Sequence, residues 1–173
     1  GVRIIYSNRR EKYIKREDLV RYSEDKDKYI LIGAMVGDDL AGVMIAYSMD
    51  FAEREIYDRQ LLEKEVPNFF VGRRVGLIKS VSVEESYRRR GLGTQLILES
   101  MKRLKDRGCD LFFAVSWDSG FRDSSPSVFE ALKFTNAIKI SDYWTKDSIK
   151  EGYDCPKDGN PCHCPAIFFF KNA

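Results

Sequence analysis

No stretch of this chain approaches the roughly 18 to 20 uninterrupted apolar residues that a membrane-spanning helix needs, which argues against insertion into a bilayer. Net charge is nearly absent too: 29 basic and 27 acidic residues, interspersed along the chain, leave a formal +2. Without a large field of one sign the protein is poorly suited to nucleic acid or an anionic membrane surface, so any basic site must be local. Histidine is reduced to His163, which stands among cysteines and is set aside as an isolated catalytic base. The opening GVRIIYSNRREKY has too short an apolar part for a signal peptide, and the four cysteines follow no secreted disulfide framework. Both features lead to a cytoplasmic expectation. Internal repeats and low-complexity segments are missing as well.

What is present suffices for a packed interior. A length of 173 residues, 43% of them apolar and 13% aromatic, fits one domain spanning 1–173, with 151–173 as a cysteine-containing C-terminal extension that ends in a strand. A β-branched run at residues 2–6 predicts a first strand, and residues 16–22 a short amphipathic helix. YILIGAMV and LAGVMIAYS, joined through Gly37, Asp38 and Asp39, predict a hairpin. Residues 50–70 permit a helix with a thin apolar face, ended by Pro67, that would cover a site. LIKSVSV at 77–83 predicts a strand, and residues 92–105 a helix with Leu92, Leu96, Ile97, Met101 and Leu104 on one side, stopped by Gly108. DLFFAVSW at 110–117 is apolar enough to be buried on both faces. A short helix at 126–132 and strands at 134–140 and 166–170 complete an α+β class, a mixed and mostly antiparallel sheet flanked by helices.

The segment SVSVEESYRRRGLGTQLILES carries the chemistry. A strand leads through an arginine-rich turn to glycines at a helix start, where four N–H groups lack internal partners and the helix dipole adds positive potential. Gly91 and Gly93 let a ligand approach the main chain, and Arg88, Arg89 and Arg90 add charge. A P-loop would need Gly-Lys-Ser/Thr, and a dinucleotide fingerprint a third small residue where Leu96 stands; neither is met. Arg88-Arg89-Arg90-Gly91-Leu92-Gly93 resembles instead the Arg/Gln-x-x-Gly-x-Gly/Ala signature of the GNAT family of N-acyltransferases. The likeness extends over the hairpin with Gly42 and over SSPSVFEALKF, up to Ile140. It implies a GNAT fold and acetyl-CoA as cosubstrate. It further implies donor contacts from the main chain of Val81 and Val83 and from Arg88, Arg89, Arg90, Gly91, Leu92, Gly93 and Thr94.

One family feature departs. Where members often have a tyrosine general acid, the alignment places Phe129, which has no proton to give. The departing thiolate is then protonated by another group, with Tyr143 and Tyr153 as replacements, or by solvent, or the chemistry is lost. Glu84 and Glu85 lie beside the expected thioester as candidate bases, against solvated surface as the alternative. Asp118 and Asp123 follow the fifth strand and would bind a cationic acceptor or cap the next helix. The catalytic residues are therefore left unassigned.

In the tail, Cys155-Pro-Lys-Asp158-Gly-Asn-Pro-Cys162-His163-Cys164 gathers soft ligands that suit zinc. Alternate residues of an extended chain point the same way, which groups Cys162 with Cys164 and turns His163 away. Asp158 stands where a Cys-x-x-Cys knuckle would have its second cysteine, with His163 as the alternative fourth ligand. Structural zinc held by Cys155, Asp158, Cys162 and Cys164, free thiols, and a disulfide all stay open. Three functions follow: an acetyltransferase acting on a primary amine of a small molecule or protein, a catalytically silent acyl-CoA-binding module, and a zinc-dependent nucleic-acid or protein adaptor. Near-neutral charge makes the adaptor the weakest. Acceptor identity and oligomeric state, a dimer included, are left open.

Overall fold

A computed structural model describes residues 16–65, 70–120 and 125–173. The strand expected at 2–6 lies outside these residues, as do Pro67 and Asp123. The helices are α1 (Arg16–Glu24), α2 (Phe51–Leu62), α3 (Leu92–Asp106), α4 (Ser125–Ala131) and α5 (Thr145–Glu151). The strands are β1 (Tyr29–Val36), β2 (Asp39–Ser48), β3 (Val75–Val83), β4 (Leu111–Trp117), β5 (Thr135–Ile140) and β6 (Ala166–Asn172). They form a six-stranded sheet in the order β1-β2-β3-β4-β6-β5, antiparallel throughout except for the β3–β4 pair.

Local chemistry accounts for most boundaries. The β1–β2 turn needs two residues, Gly37 and Asp38, because Asp39 already pairs with Val36 as the first residue of β2. Asp50 and Glu53 start α2 with a reciprocal capping box, each side chain accepting from the other's main-chain N–H. That helix ends at Leu62, before Pro67 could stop it. Gly108, at φ 82°, ends the turn after α3 in the left-handed region where a Cβ is unfavourable. The helix α5 is absent from the sequence expectation, because TKDSIKE has no apolar stripe and leaves Ile149 exposed.

Period-two alternation splits the aromatic strands between two cores. On one face, Ile78, Phe112 and Phe169 pack with Leu96, Ile97 and Leu104 of α3. On the other, Leu77, Phe113, Phe168 and Phe170 pack with Leu61 of α2 and Phe70. Consecutive residues Phe112 and Phe113 therefore serve opposite faces, which fulfils the expected two-sided burial of this strand; each such ring adds roughly 1.5–3 kcal/mol on burial.

The parallel pair positions the site. β3 and β4 share three register partners, Val75↔Leu111, Gly76↔Phe112 and Leu77↔Phe113. Beyond Leu77 and Phe113 the two strands part, while β3 keeps its pairing with β2 as far as Val83↔Gly42. A bulge at Lys79, where the register steps from Ala46↔Ile78 to Ile45↔Ser80, bends β3 at the point of separation. The sheet thus opens as a wedge between the C-terminal halves of β3 and β4. No helix of the described residues is long and apolar enough to cross a membrane.

Candidate functional site

The open edge of β3 runs directly into the arginine turn. After Val83, Glu84 donates its N–H to the Ala41 carbonyl (2.8 Å), and residues Glu85–Tyr87 make one 3₁₀ turn. Arg89 at φ 61° and Gly91 at φ 78° then take left-handed conformations on either side of Arg90. Gly91 caps α3 without any side-chain acceptor for the helix's first N–H groups. The amides of Leu92, Gly93 and Thr94 are thus at the orphan end of a 15-residue helix. A Cβ built on Gly93 would meet no atom closer than Val83 Cγ2 at 3.7 Å. The space there belongs to the cradle, not to the protein's own packing.

The three arginines take separate places. Arg88 donates from Nε to the Val83 carbonyl (3.0 Å), which ties the turn back to the strand end. Arg90 lies over the Tyr87 ring, 5.4 Å from its centroid, and Tyr87 donates its hydroxyl to Asp39 (2.8 Å). All three arginines are exposed around the helix start. Structure thus brings Val81, Val83 and residues 88–94 into one continuous edge, turn and helix end.

The candidate acid–base groups do not gather in the same way. Phe129 is buried, with its ring stacked on Phe169 at 5.3 Å and edge-on to Phe134 at 5.2 Å. Tyr143 sits on the face of α2, donating its hydroxyl to Gln60 Oε1 (3.1 Å), and Tyr153 donates to the Trp144 carbonyl (3.3 Å). Glu84 is half-buried at the end of β3 and Glu85 is exposed. Asp118 pairs with Lys139 of β5 at 2.6 Å, and that hydrogen bond holds its carboxyl below the ordinary range despite partial burial.

Sequence reasoning passed over Lys79. Its amine stands on the α2 face, 6.0 Å from the Tyr47 ring centroid, and burial pushes its pKa below the usual lysine value against the pull of Glu53. A lysine in the middle of the otherwise apolar and hydroxylic run LIKSVSV was the available signal.

The tail forms a second cluster. Sγ of Cys155, Cys162 and Cys164 and a carboxylate oxygen of Asp158 all lie within 4.8 Å of one another. The three thiols are buried against Trp117 and Trp144. His163 turns away, with Nδ1 2.8 Å from Asp142 Oδ1.

A wedge-opened sheet with a helix-start cradle on its open edge is a place for an elongated ligand with an anionic group. The model described as the acetyltransferase (GNAT) family matches residues 3–120, more than half of the chain. The chain belongs to the GNAT acetyltransferase family. Its fold is similar to a Bacillus subtilis acetyltransferase in complex with CoA, at TM-score 0.60 and 19% identity over 91% of this chain and 84% of that one. It is also similar to a GNAT family acetyltransferase from Elizabethkingia anophelis with acetyl-CoA bound, at TM-score 0.64 and 16% identity, covering 100% and 93%. The ribosomal-protein-S18-alanine N-acetyltransferase of Escherichia coli follows at TM-score 0.58 and 15% identity, covering 90% and 76%. No curated protein matches the chain.

Proposed function

We propose that the protein binds acetyl-CoA along β3 and α3 and transfers the acetyl group to a primary amine of a small molecule or protein. The observation that carries this reading is the uncapped start of α3 placed at the end of an unpaired strand edge. The amides of Leu92, Gly93 and Thr94 hold the pyrophosphate, with Arg89 and Arg90 adding charge and Arg88 fixing the turn. Main-chain groups of Val81 and Val83 pair with the pantetheine amides in the manner of an added strand. Bound acetyl-CoA has been seen in the Elizabethkingia anophelis neighbour, which supports the ligand class.

The wedge passes through the sheet, so a donor anchored beside α3 presents its thioester to the opposite face, where α2, Lys79 and Tyr143 stand. There the acceptor nitrogen attacks the carbonyl carbon, the C–S bond breaks, and the sulfur leaves as a thiolate. The nitrogen gives up one proton and the sulfur gains one. Phe129, packed in the core on the α3 face, can supply neither. The protons pass through solvent or the Tyr143 hydroxyl on the α2 face, and holding the amine against the thioester removes several kcal/mol of barrier. Loss of a dedicated acid costs about a hundredfold to ten-thousandfold, which slows transfer without silencing it.

A second reading, the silent acyl-CoA-binding module, is favoured by one observation: the ring at the acid position is built into the core. The two are separated by thiol release. Calorimetry should show binding of acetyl-CoA, and free CoA thiol should appear with some member of a panel of polyamines, amino sugars, amino acids and peptide N-termini. Binding without acceptor-dependent release anywhere in that panel would select the silent module. Absence of any heat from folded protein would remove both readings.

A further inference from the structure

We propose that Cys155, Asp158, Cys162 and Cys164 hold one zinc ion that staples the 155–164 segment of the β5–β6 connection to itself. A tetrahedral ion with Zn–S bonds of about 2.3 Å spaces its sulfurs about 3.8 Å apart. Cys155 Sγ and Cys164 Sγ stand 3.6 Å apart, and Cys164 Sγ is 3.1 Å from Asp158 Oδ2. The sulfur separation is well beyond the roughly 2.05 Å of a disulfide bond. Four ligand atoms within 4.8 Å, three of them soft, make a closed set of the kind that suits structural zinc.

The main chain is already shaped for this set. Cys155 and Gly159 exchange both of their N–H···O bonds at 2.9 Å, which closes a tight turn carrying Asp158. Within the turn, the Lys157 N–H points at Cys155 Sγ (3.4 Å). The second half is anchored to α5: the Ser148 hydroxyl accepts from the Cys162 N–H (2.9 Å), and Thr145 donates to the Cys162 carbonyl (2.6 Å). His163 donates its own N–H to Asp158 (2.9 Å) while its ring faces Asp142, so it orients the carboxylate and stays outside the ligand set. Asp118, just past β4, donates its N–H to the Pro165 carbonyl beside Cys164 (3.0 Å). The ion would therefore tie the Cys155–Gly159 turn to the Cys162–Cys164 stretch beneath the Trp117 and Trp144 rings.

The chain has two tryptophans, and both Trp117 and Trp144 pack on the thiols, so fluorescence reports the site directly. Protein purified without chelator is expected to carry about one zinc per chain by elemental analysis. Stripping the metal should change tryptophan emission and lower the melting temperature, and added zinc should restore both. Asp158→Asn, at an exposed position, keeps the fold and should weaken zinc binding by at least the roughly tenfold that loss of even an outer-shell partner costs. Cys162→Ser should lose the metal, while Cys109→Ala, beside Ser48 and outside the cluster, should keep it. Less than about a tenth of an equivalent of zinc together with no uptake by the reduced, folded protein would overturn the assignment. Stoichiometric iron, or a disulfide detected by mass in freshly purified protein, would overturn it as well.

Discussion

Arg89 is a non-glycine residue held at φ 61°, two positions before a glycine at φ 78°, and these two left-handed residues turn the chain abruptly into α3. Because the Gly93 position is spacious within the protein itself, Gly93→Asp should leave the melting temperature nearly unchanged and abolish the calorimetric signal with acetyl-CoA. A variant that unfolds would place the glycine in packing instead. Lys79 gives a prediction with a definite sign. Its native pKa is lowered by burial, so between that value and the roughly 10.4 of an unfolded lysine the unfolded chain binds more protons than the native one. Stability contributed by this group therefore rises with pH across that window and is lowest below it. Lys79→Met should be more stable than wild type at pH 7, with the difference shrinking as pH approaches 10. Denaturant midpoints at a series of pH values test this, and a constant difference would contradict it.

At the element scale, α3 is held against the sheet by glycines as much as by its leucines. A Cβ at Gly76 would come within 2.7 Å of Leu104 Cδ1 and 3.1 Å of its Cγ, and Leu104 is fully buried. Gly76→Val should cost about 1–3 kcal/mol by overpacking, read as a lowered denaturation midpoint. An unchanged midpoint would mean that α3 can lift. Elements with a strong period were legible in the sequence: the hairpin, α3 with Leu96, Ile97, Met101 and Leu104, and the phenylalanine strands. The turn at Arg88 to Thr94 was legible because its geometry depends on glycine and on charge close in sequence. The helix α5 was not, since its stability comes from Ser148 and Thr145 bonding to the cysteine segment, a contact across 14 and 17 positions. Asp118 carried two readings in the sequence because its partner Lys139 lies on another strand. Lys79 was hidden because a strand pattern cannot tell which face a bulge will expose.

Across the whole molecule, three register partners between β3 and β4 link two halves, β1-β2-β3 with α3 and β4-β6-β5 with the tail. A donor lying in the wedge touches both. Acetyl-CoA at about a hundred times its Kd should stabilise the protein by roughly 2.7 kcal/mol, with hydrogen-exchange protection concentrated at residues 78–83, 92–94 and 114–117. Protection confined to one half would show that the ligand does not bridge the wedge. The place of β6 has another consequence. It lies between β4 and β5, although the chain makes it after both. On the ribosome, β5 emerges before the strand it must pair with, and Thr135–Ile140 waits with its edge uncovered until Ala166–Asn172 leaves the exit tunnel. Completion of the sheet therefore waits on β6, and the thiol-bearing loop between those strands is the tether along which β6 returns.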